Sequence, residues 1–190
     1  QLASCVALGS GPGTTSQSGQ AIAIGLSAGN NTQSSNAVAI GNTAGQNTQG
    51  SGGVSIGNTA GTTNQGNNAV AIGNNAGNNT QIANAIAIGN AAGTTAQFVI
   101  DRNGTKPQAT NCVAIGRNCA TNNQATLAVA IGNSTATTSQ GQNAVAIGST
   151  AGNNLQGTNA VAIGSLAGRG TVASATDFQG AGAIVIGSQA

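Results

Sequence analysis

Charge and aromatic rings are what this 190-residue chain has least of. Lys and Arg total 4, Asp and Glu total 2, and charged residues make up 3% of the chain, where ordinary domains have about 25%. There are two Phe and no Trp, Tyr, Met or His. Because a formal net charge of +2 gives nucleic acid or an anionic membrane surface no electrostatic footprint, we expect neither as a partner.

The shortage of ionisable side chains also argues against catalysis. Metal sites need clusters of His, Cys, Asp or Glu, and this chain has no His and two carboxylates. Asp101 and Asp177 lie roughly four repeat units of ~4.8 Å apart, too far for a paired acid and base. No His can activate a Ser or Thr. We therefore predict no enzymatic activity and no cofactor, and we find no apolar run long enough for a membrane span.

What the chain does contain is an internal repeat. Five-residue blocks of the form Ala-Val/Ile-Ala-Ile-Gly, with close variants, each end at a glycine, here called the block glycine. Successive block glycines are 16 residues apart, except for one spacing of 27 and one of 23. The eleven block glycines are Gly9, Gly25, Gly41, Gly57, Gly73, Gly89, Gly116, Gly132, Gly148, Gly164 and Gly187. The chain is thus one repeat domain over 1–190, with loop insertions near 94–107 and 169–178.

Each block predicts a short β-strand, because Val or Ile alternates with Ala along it. A 16-residue unit cannot bury one face of such a strand alone, but stacked units join these faces into a continuous core. The sequence therefore predicts an all-β fold, a narrow parallel β-solenoid of about eleven rungs. Gln1 and Ala190 fall within the repeat columns, so we expect the solenoid to be part of a longer fibre or to stack end to end.

We expect the Val and Ile side chains to fill the solenoid and the Ala side chains to lie outside. A strand that is apolar on both faces is normally covered on both, so the small, uncharged Ala face predicts a contact with other copies of the chain. The alternative is that Ala is merely tolerated on an exposed surface. The predicted interface consists of Ala23, Ala39, Ala71, Ala87, Ala114, Ala130, Ala146 and Ala162.

A second column of the repeat holds glutamine, eight residues after the block glycine. Amides stacked one rung apart can hydrogen-bond along the fibre, as they do in cross-β assemblies. We therefore interpret the column as a structural ladder; the alternative is an exposed amide strip that binds carbohydrate. Its members include Gln33, Gln49, Gln65, Gln81, Gln124, Gln140 and Gln156.

The recurrent Asn-Ala-Val-Ala-Ile-Gly-x-x-Ala-Gly of 36–45, 143–152 and 159–168 resembles the head repeat of YadA-type trimeric autotransporter adhesins. It is also similar to repeat segments of phage and large-virus fibre proteins. The resemblance implies a left-handed β-roll, a side-by-side homotrimer, and an extracellular role in attachment at a cell or virion surface. The period of 16 is longer than that family's usual unit.

The two insertions contain most of the aromatic and charged side chains of the chain. We expect them to be loops that contact a cell-surface or matrix receptor or a glycan, since loops on a rigid scaffold often carry binding residues; alternatively they are spacers. The candidate contact residues are Phe98, Asp101, Arg102, Lys106, Arg169, Asp177 and Phe178. Two other functions stay open: a mechanical filament joined end to end, and an ice-binding solenoid based on recurrent Thr and Asn.

The three cysteines stand in repeat columns that otherwise hold Ala. Cys5 and Cys112 begin a block, and Cys119 precedes a turn. We interpret them as small apolar fillers. A disulfide between Cys112 and Cys119 is the alternative in an extracellular setting.

Overall fold

The computed structural model describes residues 4–94, 110–170 and 179–190. In these segments the chain is a parallel β-solenoid, and no helix is present among them. The main sheet has eleven strands, one from each block, hydrogen-bonded in chain order. They are β1 (Val6–Leu8), β3 (Ile22–Ile24), β5 (Val38–Ile40), β7 (Val54–Ile56), β8 (Val70–Ile72), β9 (Ile86–Ile88), β10 (Val113–Ile115), β11 (Val129–Ile131), β12 (Val145–Ile147), β13 (Val161–Ile163) and β14 (Ile184–Ile186).

The register of the main sheet confirms the repeat. Val6 pairs with Ile22, and Ile22 with Val38, one period of 16 residues further on. Across the two insertions the same positions still pair, Ile86 with Val113 and Val161 with Ile184. The extra residues therefore leave the stacking of the block strands unchanged, as the sequence predicted.

A second, thinner sheet runs along the opposite side of each turn. It contains β2 (Ser16–Gln17), β4 (Thr32–Gln33) and β6 (Thr48–Gln49), all parallel. Beyond β6 the sheet continues as single-residue bridges between glutamines, from Gln49 through Gln65 to Gln81 and from Gln124 to Gln179. In the described residues a turn thus contributes one three-residue strand and, on its opposite side, a two-residue strand or a single bridge.

The block glycines are required by their backbone conformation and, in every rung but the last, also by lack of space. Their φ angles lie between +125° and +139°, a region that L side chains rarely adopt. In addition, a Cβ added at Gly73 would stand 2.6 Å from the carbonyl oxygen of Gly89 on the next rung. Since that oxygen belongs to the backbone of the ladder, no side chain can be accommodated by a local shift.

The structure reverses the predicted orientation of the block strands. The central Ala of each inner strand points into the roll, and Ala23, Ala39, Ala71, Ala87, Ala114, Ala130, Ala146 and Ala162 all have 0% exposure within a single chain. The flanking Val and Ile lie on the outside and are partly exposed. The prediction that the Ala face contacts other copies is therefore wrong.

The physical reason is the width of the roll. The long side chain of each column glutamine points inwards from the second sheet and is itself buried. A Cβ added at Gly29 would lie 2.8 Å from Cδ of Gln33, and one at Gly77 would lie 3.3 Å from Cβ of Ala71. The glutamines thus occupy the interior, and the strand opposite them can contribute only methyl groups.

Candidate functional site

The outer surface of the main sheet is the most prominent feature of the molecule. We call it the Val/Ile face, and it consists of the first and third residue of each block strand. The parallel register aligns these residues into two unbroken columns. Its members are Val6, Leu8, Ile22, Ile24, Val38, Ile40, Val54, Ile56, Val70, Ile72, Ile86, Ile88, Val113, Ile115, Val129, Ile131, Val145, Ile147, Val161, Ile163, Ile184 and Ile186.

The Val/Ile face is large and apolar. Eleven strands spaced by ~4.8 Å make it about 48 Å long, and two outward side chains per strand make it roughly 10 Å wide. None of its side chains is fully buried, and Ile147, near one end, is 36% exposed. Contiguous apolar patches of several hundred Å² on a soluble protein mark interaction surfaces. The Val/Ile face is therefore a candidate interaction surface.

Asparagine ladders border the Val/Ile face. On the side that precedes each strand, Asn143 Nδ2 donates to Asn159 Oδ1 at 3.0 Å. On the side that follows each strand, Asn90 Nδ2 donates to Asn74 Oδ1 at 3.4 Å. Asn143 and Asn159 also have φ angles of 57° and 59°, which Asn tolerates better than most residues. The apolar face is thus bordered mainly by uncharged polar side chains, and Arg117 is the one charged residue in these two border columns.

The glutamine column is confirmed as an internal ladder. Gln33 Nε2 donates to the carbonyl oxygen of Ile22 at 2.7 Å and to Oε1 of Gln49 at 3.1 Å. The same amide-to-amide bond recurs from Gln65 to Gln81 and from Gln124 through Gln140 to Gln156. Because these side chains are at most 4% exposed, the alternative of an exposed carbohydrate-binding amide strip is wrong.

One serine modifies the ladder. Ser55 occupies the inward position that is Ala in the neighbouring strands, and its Oγ donates to Oε1 of Gln65 at 2.8 Å. The hydroxyl therefore satisfies an amide oxygen that is buried in the core, where a missing partner is costly. Ser55 was not singled out by the sequence, although its place inside the Ala column is a signal that could have identified it.

Two of the three cysteines, Cys112 and Cys119, fill the core. Cys112 and Cys119 have 0% exposure, Cys5 is partly exposed, and the three are thiols with no disulfide among them. Cys119 Sγ also lies 3.1 Å from the carbonyl oxygen of Ala130, within hydrogen-bonding distance. The interpretation of Cys112 and Cys119 as replacements for Ala is confirmed, and the alternative disulfide is not formed.

Burial raises the pKa of both Cys112 and Cys119 to about 12, from an ordinary value of 9.0. In the unfolded chain these thiols ionise near pH 9, so their contribution to stability is complete below that pH and is lost as the pH rises towards 12. We expect the urea concentration at the unfolding midpoint to decrease as the pH is raised from 9 to 11. In the Cys112→Ala/Cys119→Ala variant the decrease should be smaller. If the midpoint had the same pH dependence in both proteins, the two thiols would not be its cause.

Most of the predicted loop contacts lie outside the described residues. This applies to Phe98, Asp101, Arg102, Lys106, Asp177 and Phe178, whose role stays a prediction. Arg169 is described and is exposed at the start of the second insertion, and Arg117 is exposed beside the Val/Ile face. Within 4–94, 110–170 and 179–190 there is no cluster of three potential metal ligands, and those residues include no helix long and apolar enough to cross a membrane.

No protein-family model, no curated protein and no solved structure matches the chain. The resemblance to YadA-type head repeats predicted a roll of repeated parallel turns, and the structure contains such turns. The adhesin family itself stays a prediction.

Proposed function

We propose that this chain is a non-enzymatic, extracellular structural segment, a fibre or adhesin head, which associates side by side with other copies of itself. The observation that carries the proposal is the Val/Ile face, which is apolar on every rung of the main sheet. The proposed stoichiometry is the homotrimer that the YadA-type resemblance implies. The loops near 94–107 and 169–178 are the proposed points of surface attachment.

The size of the Val/Ile face supports association. Taken as about 48 Å by 10 Å, three such faces turned towards one axis would remove roughly 1,400 Å² from water in total, near the lower end of the range for specific interfaces. The two columns of aliphatic side chains repeat at every rung. The face is therefore regular along its length, so a neighbouring copy can contact it in the same way at each rung. The Val/Ile face also contains no charged side chain, so covering it buries no unpaired charge.

The hydrogen bonding inside the roll also supports a role as a rigid scaffold that displays loops. Glutamine ladders and backbone hydrogen bonds connect each rung to the next, and the register continues across both insertions. Such a roll can carry loops without disturbing its core. In a trimer each loop would be present three times, so weak single contacts would gain avidity.

Sedimentation equilibrium of the purified chain and of Ile72→Lys tests the association. We expect the unmodified chain to have three times its mass of 17.9 kDa. Lysine at the centre of the Val/Ile face would bury an unpaired charge between copies, so we expect this variant to be a folded monomer. Thr80→Lys, on the opposite side of the roll, should keep the trimer mass. An unmodified chain that sediments as a monomer would overturn the proposal.

A further inference from the structure

Four leucines occupy turns rather than block strands: Leu26, Leu127, Leu155 and Leu166. At the equivalent positions of the other turns the residue is usually Asn, Ser or Thr. Leu26 is 53% exposed, Leu127 49% and Leu155 44%. Leu166 is partly exposed. An exposed leucine in a column that is otherwise polar adds little to the buried core.

Three of these leucines also have a backbone conformation that disfavours them. The φ angle is 62° at Leu127, 62° at Leu166 and 26° at Leu155. Bulky side chains are rare at positive φ, whereas Asn adopts it with little strain. The ladder imposes the conformation, because Leu127 N donates to Thr110 O just as Asn143 N donates to Thr126 O.

The location of the leucines separates them into two groups. Leu127 lies two residues before Val129, the first residue of β11, and Leu26 lies two residues after Ile24, the last residue of β3. Leu166 follows the end of β13 by three residues. These three therefore flank the Val/Ile face. Leu155 instead precedes Gln156 in the second sheet, on the opposite side of the roll.

We propose that Leu26, Leu127 and Leu166 extend the self-association surface beyond the Val/Ile face onto both of its edges. The occupant is a second copy of this chain, and the inference rests on the proposed function. Continuity carries the argument, because Leu127 and Leu26 place an apolar side chain beside the Val/Ile face, in border columns that otherwise hold polar residues or Gly, Arg117 among them. They add apolar area where the planar face alone lies near the lower end of the range for specific interfaces.

The proposal predicts opposite effects of one substitution on folding and on association. Leu127→Asn places at φ 62° a residue suited to it, in a column where Asn143 and Asn159 already form a side-chain ladder. We expect it to raise the Tm of the isolated chain by about 2–4 °C. In the assembled protein we expect it to weaken association at least about tenfold.

Leu155→Asn is the matched control, since it also removes an exposed leucine at positive φ but on the other side. The Tm is measured in the Ile72→Lys background, expected to be monomeric, and the association constant by sedimentation in the otherwise unmodified chain. Both asparagine variants should be stabilised, and Leu155→Asn should associate as the unmodified chain does. If the unmodified chain associates and Leu127→Asn does so equally well, the edges are not part of the surface. If the unmodified chain does not associate, the proposed function fails as well.

Discussion

Replacing Ala130 by leucine is expected to destabilise the roll itself, by about 3 kcal/mol or more, rather than to separate assembled copies. Ala130 has 0% exposure and belongs to the internal cluster that includes Ala114 and Ala146. The three additional carbon atoms have no space between the main sheet and the glutamine ladder, so we expect a cost at or above the upper end of the roughly 1–3 kcal/mol that overpacking typically causes. Urea unfolding followed by circular dichroism measures the free energy.

Val129→Leu is the matched control for this prediction. Val129 is the neighbour of Ala130 in the same strand but is partly exposed on the Val/Ile face. An apolar residue of similar size there should change the free energy of unfolding of the chain by less than about 0.5 kcal/mol. If Ala130→Leu folded with unchanged stability but failed to assemble, the Ala side chains would face other copies, and the orientation described here would be refuted.

Gly73→Ala is expected to have an effect of similar size for a different reason. Gly73 has a φ of +127°, and a Cβ there would approach the carbonyl oxygen of Gly89 to 2.6 Å. Both the backbone conformation and the contact with the next rung are therefore unfavourable for alanine. We expect the free energy of unfolding to fall by about 3 kcal/mol or more, measured by the same urea titration.

Gly180→Ala is the control that separates the destabilisation expected for Gly73→Ala from a general effect of replacing a glycine by alanine. No atom lies within 4 Å of a Cβ placed at Gly180, so the substitution should be neutral or slightly stabilising through the unfolded state. Equal losses of stability in the two variants would show that the close approach of successive block glycines has no special role.

Much of the fold could be predicted from the spacing of the repeat. Because the block glycines recur every 16 residues, the sequence was sufficient to predict the parallel stack, the pairing of Ile86 with Val113 across the first insertion, and a ladder of Gln side chains, although not that this ladder points inwards. Period-2 alternation also located the strands. These features depend on backbone geometry, which is the same in each repeat unit.

The direction of each strand face could not be predicted by hydrophobicity alone. Val and Ile are usually buried, and this general tendency led to the wrong orientation. The width of the interior decides the matter, because Gln49 Nε2 reaches the carbonyl oxygen of Val38 at 2.7 Å and thereby fixes how close the two sheets lie. A buried glutamine opposite alanine was therefore the relevant signal. The conformational cost at Leu127 and Leu166 became visible only with the backbone angles.

Thiol labelling at one site on each side of the roll tests the central claim, that a second copy covers the Val/Ile face. In a background in which Cys5, Cys112 and Cys119 are replaced by Ala, the variants Ile72→Cys and Thr80→Cys each carry one reactive thiol. Ile72 and Thr80 are both partly exposed in the single chain. At concentrations where the chain is assembled, we predict that maleimide modifies Ile72→Cys at least about tenfold more slowly than Thr80→Cys, because desolvation blocks the thiolate. Equal rates at the two sites would contradict the account.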